Sequence, residues 1–394
     1  MLMTTGQQSY ENGQIAGGQC DKAIVENLKV FWEAVRAAGF EEEVRKVTQN
    51  NPSSFLSKAR FEEIRGMAQG AGVGFEELLA YNILRSQLLP EGCTVFFAAG
   101  KASKTGSTIF GKNSDKGGNE NFVGRLYHDF HEINVVSWFE NEDGSHIVGV
   151  SAAGTTGLKM GLNSYGVAVG TNYGYSAQAA KKQLSAADKF AGDRAQIARD
   201  ALSQKTALEA ARYAVARLME RPMASSGMLE FADAREVYVV ENVYEQIGIK
   251  KVVDAVDSRS NYLVLLEGLN EPGNASCYCR YHRTQKLLSG LWGKATPEDF
   301  KNISMDHHDG TGSVGICRHG AGLDSSTQSA AIMELNGEEP KKSVIHIALG
   351  KPCNAWREED GHISISMDME REEIPEEFFK GKAYVKYSGA APRL

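Results

Sequence analysis

Cysteine, long apolar runs and excess positive charge are all scarce in this 394-residue chain. Its 6 cysteines are too few for the dense disulfide framework of a small secreted domain. No apolar run approaches the ~20 residues that a membrane-spanning helix needs. A formal net charge of -7, with both signs interspersed, gives no reason to expect binding to nucleic acid or an anionic membrane.

The two ends of the chain carry no clear targeting signal. Residues 1–18 are polar and glycine-rich, whereas a secretory signal has a cationic start followed by an apolar stretch. The final tripeptide, residues 392–394, resembles a peroxisomal signal but begins with proline where a small residue is usual. We therefore expect a cytoplasmic protein with reduced thiols.

The character of the sequence changes at Cys93. Helical periodicity predicts three helices before it, at about residues 22–47, 55–69 and 75–88. After it, strands are predicted at 94–98, 107–110, 133–139, 146–150, 167–171, 237–241, 344–349 and 362–366, with helices at 186–219 and 280–292. No repeat or long linker divides the chain. The pattern predicts an α+β fold of stacked sheets covered by helices.

The junction Gly92-Cys93-Thr94 is the strongest chemical feature. A thiol directly after glycine can attack the Gly92 carbonyl, because glycine has no Cβ and tolerates strained backbone angles. Cleavage would free the α-amino group of Cys93, whose reference pKa of about 7.7–8.0 suits it to deprotonate a thiol of pKa about 8.5. The alternative is an inert buried cysteine at the start of a strand.

Polar residues further along the chain favour the catalytic interpretation. If residues 94–98 and 107–111 form a hairpin, Lys112 and Asp115 return to the Cys93 end of the sheet. Lys112 could then favour the thiolate, and Asp115 could hold the new ammonium group. Asn172 and Asn261 are candidate oxyanion donors, although each alone also fits a turn or helix cap.

These motifs, in this order, resemble the isopenicillin N acyltransferase family of N-terminal-nucleophile enzymes. The sequence is also similar, more distantly, to bile-salt and penicillin V hydrolases and to the dipeptidase and secernin group. The similarity covers nearly the whole chain. The matching segments are 60–68 and 77–82 in the pro-segment, 92–94 at the processing site, and 110–115, 161–172, 313–319 and 350–353 beyond it.

The resemblance implies an αββα four-layer sandwich. It also implies cleavage between Gly92 and Cys93 into an α chain, residues 1–92, and a β chain, residues 93–394, that stay associated. Cys93 would be the nucleophile, Asp115 the partner of its amine, and Asn172 and Asn261 the oxyanion donors. Arg280 would be a nearby cationic residue.

Two departures from the related families concern this site. Lys112 stands where bile-salt hydrolases have arginine, so a bidentate contact is lost there. The sequence RSNY at 259–262 replaces a more usual His-Thr-Asn-His around Asn261.

Three functions fit this sequence. The first is an acyltransferase or amidohydrolase that acts on a small acyl amide or acyl thioester, acyl-coenzyme A among them, through a Cys93 thioester. The second is a dipeptidase-like peptidase, although the 92 residues before Cys93 exceed the usual short pro-segment. The third is an unprocessed binding protein of the same fold. Homo-oligomerisation stays open.

A second group of polar residues could be taken for a metal site. Residues 306–309, Cys317 and His319 supply suitable ligands, but no i,i+4 helical pair or Cys-x-x-Cys spacing organises them. We therefore predict a structural turn there and expect neither a metal nor another cofactor. Cys277 and Cys279 are too close for a zinc knuckle and, on a strand, would face the same side.

Overall fold

The computed structural model of the chain describes residues 5–37, 39–50, 56–88, 92–116, 132–141, 143–176, 193–271, 275–308, 312, 314–319, 325–358 and 361–374. Five helices precede the first strand: α1 (Thr5–Gln19), α2 (Asp21–Ala37), α3 (Glu41–Asn50), α4 (Lys58–Ala71) and α5 (Phe75–Leu88). No helix in these ranges combines the length and the apolar composition needed to cross a membrane.

Two antiparallel sheets contain all the named strands of the described chain. The strands are β1 (Gly92–Ala98), β2 (Ile109–Lys116), β3 (Asn134–Glu140), β4 (His146–Ala152), β5 (Met160–Asn163), β6 (Ala168–Tyr173), β7 (Met223–Ala232), β8 (Glu236–Tyr244), β9 (Gln246–Val253), β10 (Val256–Arg259), β11 (Ser326–Glu334), β12 (Val344–Leu349) and β13 (His362–Ser366). Sheet one has the order β10-β1-β2-β11-β12-β13, and sheet two runs from β3 to β9 in sequence order.

The sheets pack face to face, and helices cover both outer faces. Val95 and Phe110 of sheet one share a buried core with Leu162 and Val239 of sheet two. The outer face of sheet two packs against α6 (Arg194–Ala201) and α7 (Ala207–Glu220). The outer face of sheet one packs against α8 (Ala275–Ser289), α9 (Pro297–Ser304) and α10 (Pro352–Ala355). The predicted αββα four-layer sandwich is confirmed.

The N-terminal helices form a bundle with its own core that docks on the end of sheet two. Phe31 packs edge-to-face against Tyr81 inside the bundle. The Asn27 side chain donates to the carbonyls of Ile133 and Ala153, each at 3.0 Å. Asn82 makes a further buried contact, to the carbonyl of Gly154. Buried polar contacts of this kind fix the orientation of the bundle, because an unpaired partner would lose a hydrogen bond without gaining water.

Helices α1 and α4 approach each other through glycines, which let two backbones come closer than any other residue permits. A Cβ added to Gly13 would lie 1.9 Å from the carbonyl oxygen of Glu63, and one added to Gly66 would lie 1.9 Å from that of Tyr10. The polar α1 therefore packs on backbone rather than on an apolar stripe.

Two neighbouring glycines of α1 give a matched test of this packing. We expect Gly17→Ala to destabilise the protein by about 1–3 kcal/mol, because the new Cβ would lie 2.2 Å from the Met67 carbonyl oxygen. Gly18 is exposed, and a Cβ there would lie 3.7 Å from its nearest neighbour. Gly18→Ala should therefore stabilise the helix, by up to about 1 kcal/mol. Urea unfolding measures both, and equal shifts of the same sign would refute the backbone contact.

Several predicted boundaries differ from the structure. The helix predicted over residues 22–47 is two helices, because Gly39 adopts a left-handed φ of 74° between them. Cys277 and Cys279 lie in helix α8 rather than on a strand, so the former is buried and the latter exposed. Helix α1 and strands β5, β7, β9, β10 and β11 were not predicted. The first part of the helix predicted at 186–219 lies outside the described residues.

Candidate active site

Cys93 lies near the start of β1, at one end of the layer between the two sheets. Strands β1 and β2 pair with Gly92 opposite Asp115 and Cys93 opposite Ser114, which confirms the predicted hairpin. Val95 faces the core between the sheets, and side chains alternate along a strand. The Cys93 side chain therefore faces the inter-sheet layer, whereas Gly92 and Asp115 lie on the side of the covering helices.

Both backbone groups of Cys93 are held by side chains. Its N–H donates to Asn261 Oδ1 at 3.0 Å. Its carbonyl accepts from Arg280 Nη1 at 2.6 Å, and Arg280 Nη2 donates to the same Asn261 oxygen at 2.7 Å. Arg280 Nη1 also donates to Thr94 Oγ1 at 2.9 Å. Arg280 thus ties helix α8 to the first residues of β1 and fixes the peptide groups around Cys93.

Asp115 lies directly beside the Gly92–Cys93 junction. Its Oδ1 accepts from Thr327 Oγ1 at 2.7 Å, and its Oδ2 lies 3.7 Å from Arg318 Nη1. Oδ2 is buried and has no hydrogen-bond partner among the described residues. A Cβ on Gly92 would lie 2.7 Å from Arg318 Nη1 and 3.4 Å from Asp115 Oδ2, so this position has no room for a side chain.

The charges around the junction are desolvated. Burial raises the pKa of Asp115, against the opposing effects of Arg318 and Arg280. Burial lowers the pKa of Arg318, and the positive charge of Arg280 lowers it further. The neighbouring cations thus offset only part of the penalty that burial places on the ionised form of Asp115. A further positive charge at Oδ2 would stabilise its ionised form.

Lys112 lies on the same face of sheet one as Cys93, diagonally across the β1–β2 pair. Its ammonium group is fully buried and donates to the carbonyl of Lys159 at 2.9 Å and to the carbonyl of Thr171. These contacts join sheet one to sheet two. The side chain brings a positive charge into the inter-sheet layer, but its hydrogen bonds are to backbone carbonyls.

Asn172 is buried at the end of β6. Its amide nitrogen donates to the carbonyls of Arg259 and Ser260, each at 3.2 Å, and its Oδ1 has no partner among the described residues. The amide nitrogen of Asn261 donates to the Tyr173 carbonyl at 2.7 Å. In the intact chain, the donors of both asparagines therefore hold backbone carbonyls, and their oxyanion role stays a prediction.

Three residues of this region were not among the residues predicted from the sequence. Arg318 lies in the motif at 313–319, and Thr327 of β11 lies opposite Asp115 of β2. Glu230, on β7, is fully buried, and neither of its carboxylate oxygens has a hydrogen-bond partner among the described residues. Burial raises its pKa to about 8, although Lys112 and Arg259 oppose the shift. Only the fold could identify Glu230, because nothing in its sequence context distinguishes it.

Glu230→Gln is expected to remove a pH-dependent loss of stability. Burial raises the pKa of Glu230 from 4.5 to about 8, so between these values the folded state keeps a proton that the unfolded state releases. The free energy of unfolding therefore falls as the pH rises through this window, by up to about 5 kcal/mol in total. Glutamine cannot ionise, so the variant should gain stability relative to wild type from pH 5 to pH 8.

Urea unfolding of both proteins at several pH values between 5 and 8 measures this difference. Glu338→Gln changes an exposed glutamate and should follow the wild-type profile. Parallel profiles for wild type and Glu230→Gln would show that Glu230 is ionised in the folded protein.

A cavity of about 310 Å³ opens next to the residues that hold Cys93. Asn261 and Cys277 form part of its wall, and Tyr175, Tyr262 and Tyr278 contribute aromatic surface. Arg280 lies behind this wall, with Nη2 3.6 Å from the Cys277 sulfur. Cavities of this size with mostly apolar walls and a few polar groups are typical of small-ligand sites.

No protein-family model and no curated protein matches the sequence. Solved structures show partial similarity. A Caenorhabditis elegans ortholog of N-acylethanolamine-hydrolyzing acid amidase is 17% identical, with a TM-score of 0.45 over 61% of this chain and 92% of that one. Two variants of conjugated bile acid hydrolase from Clostridium perfringens are 11% and 12% identical, with TM-scores of 0.38 and 0.37. Both cover 71% of this chain, and 93% and 94% of their own.

All three TM-scores are below 0.5, so these similarities do not by themselves assign a function to the chain.

Proposed function

We propose that this chain is a cysteine N-terminal-nucleophile amidohydrolase or acyltransferase, related to the isopenicillin N acyltransferase family, which matures by cutting its own Gly92–Cys93 bond. One observation carries the proposal. Asp115 Oδ2 is a buried acceptor without a hydrogen-bond partner in the described chain, and it lies beside the bond whose cleavage would create an ammonium group. A buried carboxylate oxygen normally has a partner, and the Cys93 ammonium would supply one.

Self-cleavage would begin with attack of the Cys93 sulfur on the Gly92 carbonyl carbon. The C–N bond then breaks, the acyl group of Gly92 passes to sulfur, and the thiol proton ends on the freed amine. Water hydrolyses the thioester and leaves a carboxylate on Gly92. The contacts of Asn261 and Arg280 with the Cys93 backbone would restrict the motion of the peptide during attack, and such positioning lowers the entropic part of the barrier.

Turnover would use the same sulfur. The free amine of Cys93 takes the thiol proton, and the thiolate attacks an acyl amide or acyl thioester. The acyl group is held as a Cys93 thioester until water or an amine accepts it. Lys112 contributes positive charge near the thiolate, and Asp115 holds the ammonium form of the amine. Rotation of the Asn172 and Asn261 amides after the N-terminal segment separates from Cys93 would make their N–H groups available to the oxyanion.

The two chains would stay associated after cleavage. Glu63 of α4 pairs with Arg199 of α6 at 2.8 Å, and both side chains are almost completely buried. Arg85 of α5 forms an ion pair with Glu132, which also binds Lys159. Separation would expose the apolar core of the bundle and break these buried contacts, so it would cost far more than a surface ion pair contributes.

The cavity beside Asn261 suggests the acyl group that the enzyme accepts. Tyr175, Tyr262 and Tyr278 offer aromatic faces, which suit an apolar or aromatic acyl chain of modest size. Acyl-coenzyme A thioesters, N-acyl amino acids and penicillins with such chains are the candidate substrates.

N-terminal sequencing and intact mass of the purified protein test the proposal. The expected result is two polypeptides that co-purify, the second of which begins with the sequence CTVF at Cys93. The acyl donors named above should then be turned over, with release of the free acid or transfer to an added amine. A single uncleaved chain that turns over none of these donors would refute the proposal and favour a binding protein.

A further inference from the structure

Four possible metal ligands converge on one point beside sheet one. His307 and His319 are half-buried, and Cys317 and Cys353 are buried. The ligand atoms of all four lie within 4.8 Å of one another. His319 Nε2 is 3.1 Å from His307 Nε2, 3.1 Å from Cys353 Sγ and 3.6 Å from Cys317 Sγ. We call these residues the Cys2His2 cluster.

Hydrogen bonding alone does not account for this arrangement. A ring nitrogen carries either one proton or one lone pair, directed in the plane of the ring, so it makes one good hydrogen bond. Three partners nevertheless surround His319 Nε2. A cation at the centre would take one lone pair from each of the four atoms and so satisfy all of them.

The spacing matches a tetrahedral zinc ion. With Zn–S bonds of about 2.3 Å and Zn–N bonds of about 2.0–2.1 Å, neighbouring ligand atoms in a tetrahedron lie roughly 3.3–3.8 Å apart. The separations around His319 Nε2 are 3.1 to 3.6 Å, close to these values, and all four ligand atoms lie within 4.8 Å of one another. Two thiolates and two imidazoles, without a carboxylate, favour zinc over calcium or magnesium.

The surrounding backbone presents the ligands from separate parts of the fold. The Asp306 carbonyl accepts the N–H groups of Ile316 and Cys317, at 3.0 and 2.9 Å, and so closes the loop between His307 and Cys317. Cys353 comes from α10, which follows β12. The Asp306 carboxylate is not a ligand, because it forms an ion pair with Arg283 at 2.7 Å.

We propose that the Cys2His2 cluster of His307, Cys317, His319 and Cys353 is a structural zinc site. Four protein ligands leave no open position for substrate, which distinguishes a structural from a catalytic zinc. The zinc would join the 307–319 segment to α10 and hold the backbone on both sides of Arg318, whose guanidinium faces Asp115. The proposal does not depend on the proposed function, because metal content and metal spectra test it directly.

The first measurement is the zinc content of the full chain, expressed with zinc, purified without chelator and passed through gel filtration. We expect about one zinc per chain, as for a closed four-ligand site. Replacement by cobalt should give thiolate-to-metal charge-transfer absorption and the intense visible bands of tetrahedral cobalt. Wild-type protein that retains neither ion would overturn the proposal.

The second measurement compares Cys353→Ser with Cys279→Ser. Cys279 is exposed on α8 and outside the cluster, so its variant should keep wild-type zinc content and cobalt spectrum. Cys353→Ser should lower zinc affinity by more than about 100-fold, beyond the usual effect of an outer-shell change. If Cys353→Ser does not fold, His307→Asn is the second test, with His308→Asn as its control. Unchanged affinity in the cluster variants, or a Cys317–Cys353 disulfide in protein purified under reducing conditions, would overturn the proposal.

Discussion

Replacing Cys93 by alanine is expected to leave the protein as one uncleaved chain and to abolish acyl turnover. The thiol is the proposed nucleophile in both reactions, and loss of a nucleophile costs an enzyme at least about 10⁴-fold in rate. The protein should still fold, because alanine removes only the sulfur atom of this fully buried side chain, at a cost of about 1 kcal/mol. Intact mass, N-terminal sequencing and turnover of an acyl thioester measure the three quantities on one preparation.

Cys279→Ser is the matched control, since Cys279 is an exposed cysteine on α8. It should be processed and active like the wild type. Cys93→Ser tests the nucleophile further, because a hydroxyl is a much weaker nucleophile than a thiolate at neutral pH. Self-cleavage of this variant should therefore be slow or absent. Normal cleavage of Cys93→Ala would show that another residue, or a contaminating protease, cuts the chain.

Local sequence patterns predicted several elements together with their bounds. Helix α5 has the predicted bounds, Phe75–Leu88, and β12 and β13 also match. Helix α1 was missed because it packs through Gly13 and Gly17 on the backbone of α4 and so has no apolar face to detect. Strand β11 was missed because its first half, the sequence STQS, is polar although it lies buried in the centre of sheet one.

The part of the candidate site that lies on the β1–β2 hairpin could be predicted from the sequence. Asp115 lies opposite Gly92 because β1 and β2, which follow one another in the chain, pair antiparallel across the connection at residues 99–108. Asn261 was a candidate from the residues themselves, whereas Arg280 was implied by the family resemblance alone. Both contact the backbone of Cys93 in the structure. The contacts of Asn172 and Lys112 could not be predicted, because they depend on how one sheet lies on the other.

The Cys2His2 cluster depends even more strongly on contacts between distant parts of the chain. His319 and Cys353 are 34 residues apart, and no local spacing relates them. The pairing of β11 with β12 brings α10, which follows β12, back towards the 307–319 segment. The possible metal site seen in the sequence comprised residues 306–309, Cys317 and His319, without Cys353. In the structure the Asp306 carboxylate pairs with Arg283, and Cys353 lies beside His307, Cys317 and His319.

Asp115→Asn is expected to lower acyl turnover by about 10²–10³-fold while changing the free energy of unfolding little. The amide cannot balance the positive charge of the Cys93 ammonium, and it would direct N–H groups towards Arg318 or towards that amine. The loss of stability should be small, because burial already raises the pKa of this carboxyl and Oδ2 has no hydrogen-bond partner among the described residues. Its ion pair with buried Arg318 is also long, at 3.7 Å. Turnover and urea unfolding on the same preparation measure the two effects.

Asp257→Asn, on the same sheet, is the control variant, and the opposite effects on stability and turnover are expected from it. Asp257 is also buried, but it is paired with Arg259 and Lys250, each at 2.9 Å, and these cations help to lower its pKa against the effect of burial. Removing its charge leaves buried Arg259 less well compensated and should cost about 3 kcal/mol of stability, with turnover near the wild-type value. If Asp115→Asn instead lost stability and kept its turnover, Asp115 would be a structural residue and the proposed partner of the Cys93 amine would have to be sought elsewhere.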